Sequence, residues 1–344
     1  MTDIDMLLCP QRLGPALVDA TDDHRWQTFD AALISGGKSN LTFVLRSAAG
    51  ELVLRRPPQG ELLPSAHDMR RETRVQQALA ESEVPVARVV LAVESPDLIG
   101  VPFYVMSKVD GHIIRETVPG GYADTAADRV RLTNALVDTL AQLHRVDPGA
   151  VGLSDFGRPD GFLTRQLHRW QAQSAASRAR EVPALDELAR RLTTTIPVGA
   201  PAALVHGDFR LDNCMMDVTD PGRVAAVLDW EMSTLGDPLT DLGLLSFYWT
   251  EPGDPPVPLV PAVTSQYGFP SRTHLLERYA ARTGFDLTDF PFYEAFARFK
   301  FAVILQGIAA RSAAGAMGGQ QFGDLDEDVA RVAESGLAAL HPTR

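Results

Sequence analysis

The segment His206-Gly207-Asp208-Phe209-Arg210-Leu211-Asp212-Asn213 limits what this chain can fold into more than any other stretch. A short apolar strand, residues 203–206, leads into it. Two further strands, 214–217 and 224–228, form a hairpin around Asp220-Pro221-Gly222 and return to Leu228-Asp229-Trp230-Glu231. A hairpin brings its two ends together, so Asp208, Asn213 and Asp229 are expected at one end of it. That set suits metal-assisted phosphoryl transfer. An aspartate can accept the proton of an attacking hydroxyl, and a separate Asn/Asp pair offers the hard oxygen donors that Mg²⁺ prefers.

The pair HGDFRLDN and LDWE resembles the aminoglycoside-phosphotransferase and choline-kinase-like small-molecule kinases, relatives of the protein kinases. Gly207 stands where the protein kinases carry arginine. The resemblance implies an α+β, two-lobed, protein-kinase-like fold. A small antiparallel-sheet lobe would span residues 1–106 and a mostly helical lobe 107–344, with a hinge at about 106–111. It also implies ATP, with GTP not excluded, together with Mg²⁺, and a small-molecule hydroxyl acceptor. Asp208 becomes the catalytic base, and Asn213 and Asp229 the metal ligands.

The upstream parts follow in order. Residues 41–46 and 51–56 read as two strands around Ser47-Ala48-Ala49-Gly50. Before them, SGGKSN at 35–40 would cover phosphate, with Ser39 as the contact. Val53 and Arg55 share one strand face by the period of two. The resemblance puts Val53 against the adenine and Arg55, in place of the family's lysine, at the α/β-phosphates, with Arg56 able to share that role. A helix is expected from Ser65 to Ala80, opened by a capping pattern of Ser65 and Asp68. On it Met69, Glu72, Gln76 and Leu79 recur at helical spacing, which gives Glu72 either Arg55 or a local neighbour as partner. Strands are expected at 88–93 and 101–106. Residues 103–111 resemble the hinge, with Met106 beside the adenine and Ser107 C=O and Val109 N–H meeting its edge.

Downstream, Gly236-Asp237-Pro238-Leu239-Thr240-Asp241-Leu242 matches the family's G-D-P-x-x-D-L, with Asp241 bracing the catalytic loop. His206 is expected to pack beneath the metal-binding segment. Glu231 is left between the metal site and a local bond. Asp155-Phe156-Gly157 precedes HGD, so it reads as a turn rather than the metal-binding element. Helices are expected at 128–146 and 185–196 and from 272 onward. The stretch from Arg55 to Asp68 is similar to the kinase-like domains attached to acyl-CoA dehydrogenases, which points to an acyl-CoA-linked hydroxyl acceptor. Arg56, Arg70, Arg71 and Arg74 could meet anionic groups of such a ligand, though they read more readily as a solvated basic face.

Composition narrows the alternatives. The chain has 344 residues and a formal charge of −12, with 45% hydrophobic residues. Wholesale disorder and non-specific nucleic-acid coating are thereby excluded. Two cysteines, no leader pattern and no long apolar run make a cytoplasmic protein without a membrane partner the expectation. Oligomeric state is not encoded in any pattern here. Two other readings compete: a catalytically silent nucleotide- or metabolite-binding module, motivated by arginine in place of lysine, and a protein kinase. HGD in place of HRD disfavours the latter.

Overall fold

A computed structural model describes residues 3–34, 40–58, 68–178, 180–313 and 325–340. Ser39 and Ser65 lie outside the described residues.

Two helices that the sequence reading did not anticipate open the chain, α1 (Asp3–Leu8) and α2 (Pro10–Thr21). Prolines disguise α2. Pro10 stands in the first turn, where no hydrogen bond is lost, and Pro15 lies inside. A five-stranded antiparallel sheet follows, made of β1 (Asp30–Leu33), β2 (Leu41–Ser47), β3 (Gly50–Arg56), β4 (Val89–Val93) and β5 (Phe103–Ser107). Its order is β1-β2-β3-β5-β4. Leu52 and Leu54 of β3 point to one face and join Phe43, Phe103 and Val105 in a core that Leu13 and Leu17 of α2 close. Each such leucine contributes about 1.5–3 kcal/mol by burial. Val53 and Arg55 therefore face the other way, toward the larger lobe.

Helix α3 (Met69–Leu79) begins later than expected. Asp68 is its N-cap and accepts from the Arg71 backbone N–H at 3.1 Å. An Asx cap at Asp68 accounts for the start. Val75 and Leu79 pack into the core of the larger lobe, so α3 bridges the two layers.

The larger lobe contains β6 (His112–Ile113), α4 (Ala126–Arg145), α5 (Phe162–Ala176), α6 (Pro183–Thr194), β7 (Ala203–Val205), β8 (Cys214–Met216), β9 (Val224–Val227), β10 (Thr234–Gly236), α7 (Leu239–Tyr248), α8 (Arg272–Thr283), α9 (Phe290–Ala313) and α10 (Leu325–Ala339). β6, β8 and β9 form one small antiparallel sheet, and β7 pairs with β10. α5 was not anticipated. It buries Leu163, Leu167 and Trp170 and packs against α9. α9 is apolar on most sides because α5, α6, α7 and α10 surround it. Both cysteines are free thiols. Among the described residues, no helix is long and apolar enough to cross a membrane.

Candidate active site

The β7–β8 connection holds Asp208. Its backbone path depends on Gly207, which has φ of +86°; a Cβ there would stand 2.6 Å from the Met232 carbonyl oxygen. Hence this loop has no room for the arginine of the protein-kinase pattern. Asp241, 1% exposed, accepts from the His206 N–H at 2.7 Å and the Gly207 N–H at 2.8 Å. His144 reaches the same carboxylate at 3.2 Å. His206 is fully buried. Its Nδ1 accepts from the Asp208 N–H and its Nε2 donates to the Leu228 carbonyl at 2.9 Å. That pairing fixes the tautomer and ties the loop to the segment that follows β9 and carries Asp229, while Phe209 and Trp230 pack on the ring.

Asn213 orients Asp208. Its amide Nδ2 donates to the Asp208 carboxylate Oδ2 and to its backbone carbonyl, both at 2.8 Å. Arg210 Nε lies 3.3 Å from the same Oδ2. Among the described residues, Asp208 Oδ1 accepts no hydrogen bond. The Asn213 carbonyl accepts from Leu228 N–H at 2.8 Å, which puts Asn213 beside Asp229. Asp229 has φ of +64°, a left-handed conformation that costs a non-glycine residue about 1–3 kcal/mol.

From the sheet, Arg55 reaches both α3 and Asp229. Its Nε stands 2.9 Å from Glu72 Oε2 and its Nη2 2.5 Å from Asp229 Oδ1, with Glu231 at 3.9 Å. The Glu72 contact is an ion pair whose N–H direction falls short of a hydrogen bond. Glu72 is fully buried and is held also by the Tyr104 hydroxyl at 2.9 Å and Asn40 Nδ2 at 3.0 Å. Burial pushes its carboxyl up to about 7, against the opposing pull of Arg55. Burial works against the Arg55 charge too, but Glu72 and the neighbouring carboxylates outweigh it and raise its pKa.

Val53 sits on the same face as Arg55, 7% exposed, opposite Met106 in the β3–β5 register. Met106, Ser107 and Val109 are partly buried along the chain leaving β5. Ser107 is bonded to Arg88 twice, its N–H donating to the carbonyl and its Oγ accepting from the N–H.

The oxygen chemistry of this site fits a magnesium ion. Asn213 spends its amide N–H groups on Asp208, which leaves Oδ1 as its free acceptor, and Asp229 brings a carboxylate beside it, one oxygen of which Arg55 holds.

The profile of the phosphotransferase enzyme family matches residues 30–295. The chain belongs to this family. Acyl-CoA dehydrogenase family member 11 of Rattus norvegicus is 37% identical over 320 residues, covering 92% of this chain and 40% of that protein. The chain thus spans well under half the length of that relative. A Ralstonia eutropha crystal structure, itself a candidate aminoglycoside phosphotransferase, is 32% identical with a TM-score of 0.83, covering 99% of both chains. A thermostable aminoglycoside phosphotransferase mutant solved with AMP-PNP and hygromycin B shares the fold at 16% identity, TM-score 0.58, covering 96% of this chain and 99% of that one.

Against this phosphotransferase frame, several side chains fall elsewhere than the sequence reading put them. Arg56 is 2% exposed and bonds the Leu7 carbonyl at 2.5 Å, so it clamps α1 and is turned away from Arg55's role. The basic face of α3 is not solvated as a unit. Arg71 donates to the Ser233 and Phe156 carbonyls and stacks 4.2 Å over the Phe156 ring, and Arg74 pairs with Asp155. The Asp155-Phe156-Gly157 turn therefore serves as a platform for α3. Gly157 is needed because a Cβ would meet Leu235 N at 2.6 Å. Four functional neighbours were missed: Asn40, Tyr104, Arg210 and Lys300. Tyr104 had a signal, since it shares a β5 face with Met106. Lys300 had none, being a single lysine on an apolar helix.

Proposed function

We propose that this chain is an ATP- and Mg²⁺-dependent small-molecule kinase, with GTP as the other candidate donor. It moves the γ-phosphate to a hydroxyl of an aminoglycoside-like or hydroxyacyl-CoA-like acceptor. The observation that carries the reading is the position of Asp208. Asn213, the residue beside Asp229, holds one of its oxygens and leaves the other open, while Arg55 links Asp229 to Glu72. Nucleotide complexes of fold relatives, with AMP-PNP and with GDP, support the choice of donor.

Asp208 Oδ1 takes the proton of the acceptor hydroxyl as its oxygen bonds to the γ-phosphorus and the bond to the β–γ bridging oxygen breaks, releasing the nucleoside diphosphate. Arg55, with Glu72 setting its pose, places a fixed positive charge at the α/β-phosphates. Val53 would lie against the purine with Met106 beside it, Ser107 C=O and Val109 N–H would meet its edge, and Ser39 is the proposed phosphate contact. Asn213 and Asp229 would hold Mg²⁺, which would supply charge neutralisation on the phosphates.

Titration calorimetry with a non-hydrolysable ATP analogue, with and without Mg²⁺, tests this. Magnesium-dependent binding that weakens in Asp229→Ala supports the kinase. A second reading, a silent nucleotide-binding module, is favoured by the Arg55–Asp229 contact, which occupies a metal ligand. Absence of binding in both conditions removes the kinase reading.

A further inference from the structure

A cavity of about 50 Å³ opens beside Gly207, the neighbour of Asp208, between α5 and α9. Its wall mixes apolar side chains, among them Phe162, Trp170, Leu244 and Phe296, with polar ones, and it carries two cations, Lys300 and Arg169. Lys300 Nζ donates to the Gly207 carbonyl at 2.8 Å and lies 5.6 Å from the Trp170 ring. Burial pushes its ammonium pKa down, and Asp208 is close enough to act on its charge. Among the described residues, no carboxylate lies within ion-pair distance of Lys300 or Arg169. Asp241 also lines the cavity and acts on the Lys300 charge from a distance, but its oxygens already accept from His206 and Gly207 and meet His144. A desolvated ammonium with one of three donors used is costly unless a ligand supplies the counter-charge.

We infer that Lys300 and Arg169 receive an acidic group of the acceptor, a carboxylate or a phosphate monoester, while its apolar body lies against Trp170 and Phe296. The inference rests on the kinase reading above and assigns the acceptor's charge. A polycationic acceptor fits this wall poorly, because it would bring like charge to an unpaired ammonium.

Four six-carbon probes with a terminal hydroxyl test it: hydroxyhexanoate, hydroxyhexyl phosphate, hexanediol and aminohexanol. Each is titrated into the full chain and into Lys300→Met and Arg169→Gln. At least one acid is expected to bind about tenfold tighter than hexanediol and aminohexanol. Which acid binds tighter separates a hydroxy acid from a phosphate monoester. Lys300→Met is expected to abolish the preference and Arg169→Gln to reduce it. Arg169 is exposed, so its variant remains informative if Lys300→Met does not fold. No binding of either acid, equal binding of all four probes, tighter binding of aminohexanol, or a preference unchanged in the variants overturns the inference. ATP-analogue binding in the same wild-type sample separates this failure from failure of the kinase reading.

Discussion

Arg55 meets two carboxylates within 3 Å, Glu72 at 2.9 Å and Asp229 at 2.5 Å, whereas Lys300, on the other side of Asp208, meets only a carbonyl and an aromatic ring. Both are cations taken out of water. The first is compensated by the fold itself, so its position is set before any ligand arrives. The second has no ion-pair partner among the described residues, and only the more distant Asp208 and Asp241 act on its charge. The contrast assigns different work to the two halves of the cleft. On the proposed function, the paired side would hold the geometry a donor nucleotide needs, and the side without an ion pair would discriminate among acceptors.

Removing the group between the two halves has the largest expected effect. Asp208→Asn keeps the volume and the Asn213 contact but cannot take a proton. Phosphoryl transfer is expected to fall by about 10²–10⁴-fold. Binding of an ATP analogue is expected to persist. Turnover near that of the unaltered protein, followed as nucleoside diphosphate release, would remove Asp208 from the mechanism.

Next in size is the paired side. Arg55→Leu leaves Glu72 buried beside Tyr104 and Asn40 with no cation. Breaking a buried pair from one side costs about 3–5 kcal/mol. Denaturant unfolding at pH 8, above the Glu72 value of about 7, should register a loss of that order. A loss below about 1 kcal/mol would mean that the pair is not formed as described, and the contrast with Lys300 would lapse.

How much of this was legible in the sequence follows from the distance along the chain at which each contact is made. Asp208, Asn213 and Asp229 lie on one loop and one hairpin, so local pattern and hairpin closure place them together. Arg55 follows from strand parity, and Glu72 from helical spacing on α3. Lys300 and Gly207 are 93 positions apart and meet only because α9 crosses beneath the catalytic loop. No periodicity reports that crossing. Helix α2 was hidden by its prolines, and the basic run Arg70, Arg71 and Arg74 looked solvated because Phe156 and Asp155, which receive two of the three, come from a turn far downstream.

The smallest expected effect is also the one that tests how the paired side is compensated. Burial holds the Glu72 carboxyl at about 7, above its ordinary 4.5. Below pH 4.5 the folded and unfolded chains both keep its proton, and the group contributes no pH dependence. Between 4.5 and 7 the unfolded chain releases the proton while the folded chain retains it. Stability therefore falls as pH rises through this window and levels off above it. At about 1.4 kcal/mol per unit, the shift caps the loss at about 3 kcal/mol. Glu72→Gln has no proton to release, so its unfolding free energy should lack this fall. The difference between the two proteins, measured by denaturant unfolding from pH 4.5 to 8, should narrow or grow in that direction alone, against wild type as pH rises. Parallel profiles would mean that Arg55 holds Glu72 ionised throughout. The paired side would then be fully compensated by the ion pair, with Tyr104 and Asn40 serving only to orient it.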